Sequence, residues 1–523
     1  MAKVYATPGV YIEERSAFAS SAVPVATAVP AFIGYTEKAI RGRTDIRNVP
    51  TKISSFSEFN LYFGGAPPTK FNIAKSDDAN VVYTVAPEGS RFYLYHSIKL
   101  FFANGGSDCY IVSVGNYANG LKKEDFGADG VETDPVLTGI ATLLKEPEPT
   151  MLVIPDLVSL SQADCASLQL AMLQHCGEKT KSRFAILDVY GGNAKTFQGT
   201  LPDGKEGEVN AIENFRNSVG TNFLQWGAAY YPWVNTSITA ANSVDFTSIT
   251  PASTAVMIEI LKADLPADAD PAKPDPRTKL ISEKIDLLTT LNVAADAATK
   301  PSADDVQTLH QTLLAVVPIY KAIMTSVLDQ INLLPPSAAM AGIYSMVDNN
   351  IGVFQSPANI SVGSVTRPAI NITQKEQEDL NLPLNGKAVN AIRTFPGKGI
   401  LVWGARTLDG NSQDWRYISV RRTVIFIEQS IKYAAEPYVF SPNTAVTWTN
   451  LKAVLNNFLT NVWQQGALAG ATPEDAFNVD IGLGVTMTPI DILEGYMKIT
   501  VRIAVTRPAE FIVITFEQKM QQS

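Results

Sequence analysis

Residues 91–114 read RFYLYHSIKLFFANGGSDCYIVSV, and the order of residue types in this stretch decides the architecture. Tyr95, Ile98, Phe101 and Phe102 recur at helical spacing. Gly105-Gly106 then supplies residues that accept the left-handed turn at a helix end. Cys109 to Val114, CYIVSV, follows as a short apolar run of strand length. Further on, two short apolar runs, Met151 to Ile154 and Phe184 to Val189, flank Ser161 to Cys176, where Leu168, Leu170, Met172 and Leu173 suit a packed helix. That is a βαβ unit, so the fold class is mixed α/β.

Outward from this core the pattern changes. The run PADADPAKPDPR, between Leu265 and Arg277, has too many prolines and charges to order itself and reads as a linker. Lys279 to Ala298 and Ala303 to Leu334 then show helical periodicity and form a hairpin, with Ser302 as the cap of its second arm and Pro335-Pro336 as its end. Leu451, Val454, Leu455, Phe458, Leu459, Val462 and Trp463 predict a helix from Trp448, with Gly466 just past its end. Met497 to Val505 alternates apolar and polar residues as a strand does. The final apolar run, Phe511 to Phe516, needs strand partners that an ordinary chain terminus lacks.

A chain of 523 residues implies several domains, and its charged fraction of 18% is low enough that part of the surface is expected not to face water. The net charge of -9, with no dense basic block, speaks against nucleic acid. Three cysteines, Cys109, Cys165 and Cys176, build no disulfide framework and fit a reducing cytoplasm. Ser16 to Thr36 carries no charge, but Pro24 and Pro30 interrupt it, so no membrane insertion is expected.

Sites of chemistry are sparse. Gly199 to Lys205 has the glycine and lysine spacing of a phosphate loop, yet Glu206 stands where a magnesium ligand belongs and Pro202 removes a cradling amide. A nucleotide-binding enzyme built on residues 151–206 is the alternative that this motif leaves open. His175-Cys176 diverge by about 100° on a helix and read as a packed helix end, not a zinc site. No catalytic residue, cofactor or metal is expected. Arg416, Arg421 and Arg422 open an apolar helix, as a solvated face or as a contact for an acidic partner.

Several ordered stretches resemble the contractile tail sheath proteins of phages and of related extracellular injection systems. They are TPGVYIEE from Thr7, VPAFIGYTEKA from Val29, SFSEFNLYFGG from Ser55, FFANGGSDCYIVSV from Phe101, LPPSAAMAGIYSMVDNNIGVFQSPAN from Leu334, VNAIRTFPGKGILVWGARTL from Val389, WRYISVRR from Trp415, GALAGATPEDAF from Gly466 and PAEFIVI from Pro508. Each is weak alone and their order is specific. The sequence departs at Ser441, where the family usually has an acidic residue in an FEPN motif, and in the helical hairpin, which looks like an insertion.

The resemblance implies a subunit with extended arms at residues 1–20 and 507–523 and a core built from 21–115 and 334–506. Between these lie an inserted α/β domain at 116–262 and a linker with a helical insertion at 263–333. The arms, through Val10, Tyr11 and Ile12 and through Phe511, Ile512, Val513, Ile514 and Phe516, would add strands to neighbouring subunits. The expected product is a helical sheath of stacked hexameric rings around an inner tube protein, joined to baseplate and terminator or cap proteins. Arg416, Arg421 and Arg422 would face the tube. Assembly is expected in the bacterial cytoplasm, as part of a virion or of a tail-like particle released from the cell. A two-protein sheath of the type VI secretion kind is disfavoured, because both arm motifs and the core sit in one chain.

Overall fold

The computed structural model describes residues 24–76, 82–127, 137–201, 204–266, 275–293, 301–511 and 513. The chain divides into two compact units, one of residues 26–422 and one of residues 1–25 with 423–523. The larger unit is organised by nine strands: β1 (Pro30–Thr36), β2 (Thr51–Ile53), β3 (Cys109–Asn116), β4 (Met151–Val153), β5 (Phe184–Asp188), β6 (Gly227–Tyr231), β7 (Ile360–Ser361), β8 (Asn390–Phe395) and β9 (Gly399–Trp403). They form one sheet in the order β7-β9-β8-β6-β5-β4-β1-β3-β2. Pairing is parallel from β3 through β1, β4, β5 and β6 to β8, and antiparallel at both margins. Every residue of β1, β4, β5 and β6 is buried, as parallel strands covered on both faces must be. The end of the uncharged stretch, Pro30–Thr36, is therefore an interior strand of this sheet.

The opening helix-turn-strand holds, as helix Leu94–Ala103, Gly105 at φ +86° and β3. A Cβ on Gly105 would also come within 2.9 Å of the Met346 Cβ, so backbone angle and packing both require glycine there. The buried face of the helix is Leu94, Ser97, Ile98 and Phe101, while Tyr95 and Phe102 are only half-buried. The βαβ unit also holds: helix Gln162–Gln174 connects β4 to its parallel neighbour β5.

Two buried carboxylates fasten helices to the sheet. Asp156 accepts hydrogen bonds from the amides of Tyr35 (2.9 Å), Tyr93 (2.6 Å) and Leu94 (3.0 Å), joining β1 to the start of helix Leu94–Ala103. Asp188, at the end of β5, accepts from the Ser337 amide at 2.8 Å and hydroxyl at 2.5 Å, at the start of helix Ser337–Asn350. Burial raises the Asp156 pKa to about 6 and that of Asp188 to about 7, above the ordinary carboxyl value, against the hydrogen bonds that lower both. A raised carboxyl pKa means the folded chain holds these protons more tightly than the unfolded one, so stability is lost as pH rises through 6 to 7. Urea midpoints should therefore fall from pH 5 to pH 8, and Asp188→Asn should flatten that slope.

The domain map changes in two places. The expected boundary at residue 116 does not exist, because β4, β5 and β6 are hydrogen-bonded into the middle of the same sheet as β1 and β3. Nor does the helical segment stand apart after residue 263. Ile285, Leu309, Leu313, Tyr320, Ile323 and Val327 share one buried cluster with Phe71, Phe246, Ile249, Met257 and Ile260. Ser302 caps its helix as expected, its hydroxyl accepting from the Asp304 amide. The second arm is not one helix: Ala303–Val316 and Pro318–Ile331 meet at 115°. Pro318 lacks an amide hydrogen and forces Val317 out of the helical region, to φ -122° and ψ 96°. Among the described residues no single helix is long and apolar enough to cross a membrane.

Candidate assembly interface

The smaller unit is built on helix Ala445–Gln464, which buries Leu451, Leu455, Phe458, Leu459 and Val462 and ends before Gly466 at φ +89°. The expected periodicity is right, and the helix starts one turn earlier than Trp448. Phe426, on helix Ile418–Ala435, packs its ring 5.9 Å from Phe458. The alternating segment forms strand β11 (Thr500–Ile503), paired antiparallel with β10 (Phe477–Asp480). Val479 faces the core at 1% exposure, and Arg502 is tied to Asp480 at 2.6 Å. Among the described residues this sheet has only two strands, so both outer edges lack a partner strand. Two strands alone are marginal, and open edges accept further ones.

The surface of this unit is apolar to an unusual degree. Of the twenty-three exposed large hydrophobics among the described residues, eleven lie in it, from Tyr433 to Val513. Phe511 and Val513, both named for the C-terminal arm, are 67% and 89% exposed. Val10, Tyr11, Ile12, Ile512, Ile514 and Phe516 lie outside the described residues.

The arginine cluster is placed differently from the expectation. Arg421 and Arg422 are each 5% exposed, inside the larger unit, and are unavailable to a partner there. Arg421 lies between the rings of Trp226 and Trp415, at 4.1 and 4.4 Å. Arg422 forms a two-pronged ion pair with Asp348 (2.9 and 2.5 Å), donates to the Thr27 carbonyl at 3.0 Å and covers the Tyr344 ring at 4.7 Å. Arg416, half-buried, donates from Nε to the Ser412 carbonyl at 3.0 Å. The signal was in the sequence: Ile418, Val420, Val424 and Ile425 flank both arginines, leaving this turn no wet face. Arg422→Ala should cost about 3–5 kcal/mol, because it strands the Asp348 carboxylate at 1% exposure; denaturant unfolding checks it.

Chemistry elsewhere in the larger unit follows packing. Thr196–Thr200 and Glu206–Asn210 pair as an antiparallel hairpin, with the Leu201 amide bonded to the Lys205 carbonyl at 2.8 Å. A phosphate loop needs strand, loop and helix N-terminus in succession, and Lys205 leads into a strand instead. His175 Nε2 lies 2.6 Å from Arg183 Nη1, and burial, helped by that charge, lowers its pKa to about 3. Burial pushes the Cys176 thiol up to about 12. The pair is a packed helix end, and no group of three potential metal ligands occurs among the described residues.

Residues 411–519 match the family model of the phage tail sheath C-terminal domain. The tail sheath protein of Burkholderia phage BcepMu is 29% identical over 141 residues, which are 26% of this chain and 29% of that protein. The tail sheath protein of Vibrio phage KVP40 is 24% identical over 143 residues, 27% of this chain and 21% of that protein. These matches span less than a third of either relative. The fold is similar along its whole length to chains in two solved assemblies, each 26% identical and each covering 99% of this chain. One is the helical sheath of the anti-feeding prophage in its contracted state, with a TM-score of 0.57 and all of that chain covered. The other is the PVC sheath complex of an extracellular contractile injection system, also contracted, with a TM-score of 0.56 and 99% of that chain covered.

Proposed function

We propose, on the premise that this chain belongs to the contractile tail sheath family, that it is the structural subunit of a contractile sheath that polymerises helically around an inner tube and shortens to drive that tube through a target envelope. One observation carries the reading. The unit that concentrates the exposed apolar side chains, residues 423–513, coincides with the residues that match the sheath C-terminal domain. Apolar surface on this scale marks association.

In this reading the unpaired edges of β10 and β11 accept arm strands from neighbouring subunits, with main-chain hydrogen bonds holding the copies together while their bodies move. The arms are residues 1–20 and 507–523, with Val10, Tyr11, Ile12, Phe511, Ile512, Val513, Ile514 and Phe516 as their apolar contacts. A tube must be gripped and then released, which calls for polar contacts that fix register more than affinity. Of the three arginines only Arg416 keeps access for that role. Partners are the inner tube, baseplate and cap proteins of a phage tail or tail-like particle assembled in the bacterial cytoplasm. The subunit catalyses nothing.

Sedimentation of the purified chain tests the reading. Assemblies far heavier than the 56.5 kDa chain are expected. A monodisperse monomer that binds nucleotide would favour the enzyme alternative instead.

A further inference from the structure

The corner between helices Ile418–Ala435 and Ala445–Gln464 carries a contiguous apolar display. Asn443 is its node. Its Nδ2 donates to the Tyr496 carbonyl at 3.0 Å, and its Oδ1 accepts from Trp448 Nε1 at 2.7 Å, so the turn at residue 443 is tied to the chain at residue 496. Val439, Phe440, Val446, Ile490, Leu493 and Tyr496 are all exposed, Phe440 at 103% and Leu493 at 87%. Phe440 sits at φ +67°, a backbone state that a bulky side chain rarely adopts. Thr447 Oγ1 donates to the Pro442 carbonyl at 2.7 Å, and the Ser441 amide to that of Tyr438 at 3.0 Å, which hold the corner in this shape. The unit thus spends backbone strain on presenting an aromatic ring to water.

We infer that this corner is a docking surface for a second copy of the same chain. Six bulky residues, each at least 57% exposed, offer apolar surface on the scale that one partner brings to a standard protein interface, about 800 Å². Of the charges beside it, Lys498 bonds Asp491 at 2.5 Å, while Glu436 and Glu494 are exposed at its margin. A large apolar contact with charge only at its rim suits a partner that is not released. A tube that must slide free is not such a partner; a neighbouring sheath subunit is. The inference rests on the sheath reading and adds to it a contact separate from strand exchange.

The test uses the full chain. Phe440→Asp with Leu493→Asp should leave the thermal unfolding transition of the unassembled protein within a few degrees of wild type and lower the yield of sedimenting sheath at least tenfold. Wild-type yield from the double variant would overturn the inference and leave the sheath reading standing. Should the double variant not fold, a photo-crosslinking amino acid at position 440 in the otherwise unchanged chain gives the answer. An adduct of twice the chain mass supports the inference, and an adduct with the tube protein, or one confined to a single chain, overturns it. Wild-type chain assembled in parallel reports on the sheath reading itself: if it forms no sheath, that reading and this inference fall together.

Discussion

Replacing residues 263–332 by a short Gly/Ser linker should leave an insoluble chain. The segment looks dispensable in sequence, since a proline-rich linker leads into it and loop insertions cost little closure entropy. In the structure its helices are one wall of a shared core. Excision would uncover Phe71, Ile73, Val244, Phe246, Ile249, Met257, Ile260 and Leu261, each below 9% exposure in the intact chain. At about 1.5–3 kcal/mol per uncovered side chain, the loss is on the order of 10 kcal/mol, comparable with the whole stability of a folded domain. Solubility on expression and a cooperative melt check it. A soluble, cooperatively melting product would mean that residues 71–87 and 244–261 hold together without the helices.

Deleting Ala509–Ser523 should have the opposite outcome, a folded subunit that no longer polymerises. Among the described residues, no buried residue of the smaller unit lies beyond Arg507, so the remaining chain keeps the core they form. Deleting Met1–Arg15 should act in the same way. If Phe511 to Phe516 supplies a strand to a neighbour, its loss removes about six paired residues, at about 1 kcal/mol per net hydrogen bond, together with their apolar burial. Circular dichroism and sedimentation separate the outcomes: a truncated chain that still forms sheath, or one that unfolds, contradicts strand exchange.

What was legible in the sequence was local and periodic. Helix Leu94–Ala103, the glycine at 105, β3, the βαβ unit and helix Ala445–Gln464 all follow from apolar spacing and a stop signal. Long-range pairing was not legible. That β4 and β5 lie between β1 and β6 depends on strand pairing across long separations, Pro30 with Met151 above all, which no window of sequence contains. The burial of Arg421 and Arg422 was legible in their apolar flanks, but their partners Trp226, Tyr344 and Asp348, distant in the chain, were not. Phe440 was missed because a single aromatic in a turn has no periodicity, and only its exposure marks it.

Electron microscopy of the chain co-expressed with its inner tube protein tests the central claim most directly. The account predicts striated tubes of helically arranged subunits, seen in a long, tube-filled form and in a shorter, wider one with the same subunit count. Discrete particles without a helical lattice, or tubes of a single fixed length per subunit, would contradict it.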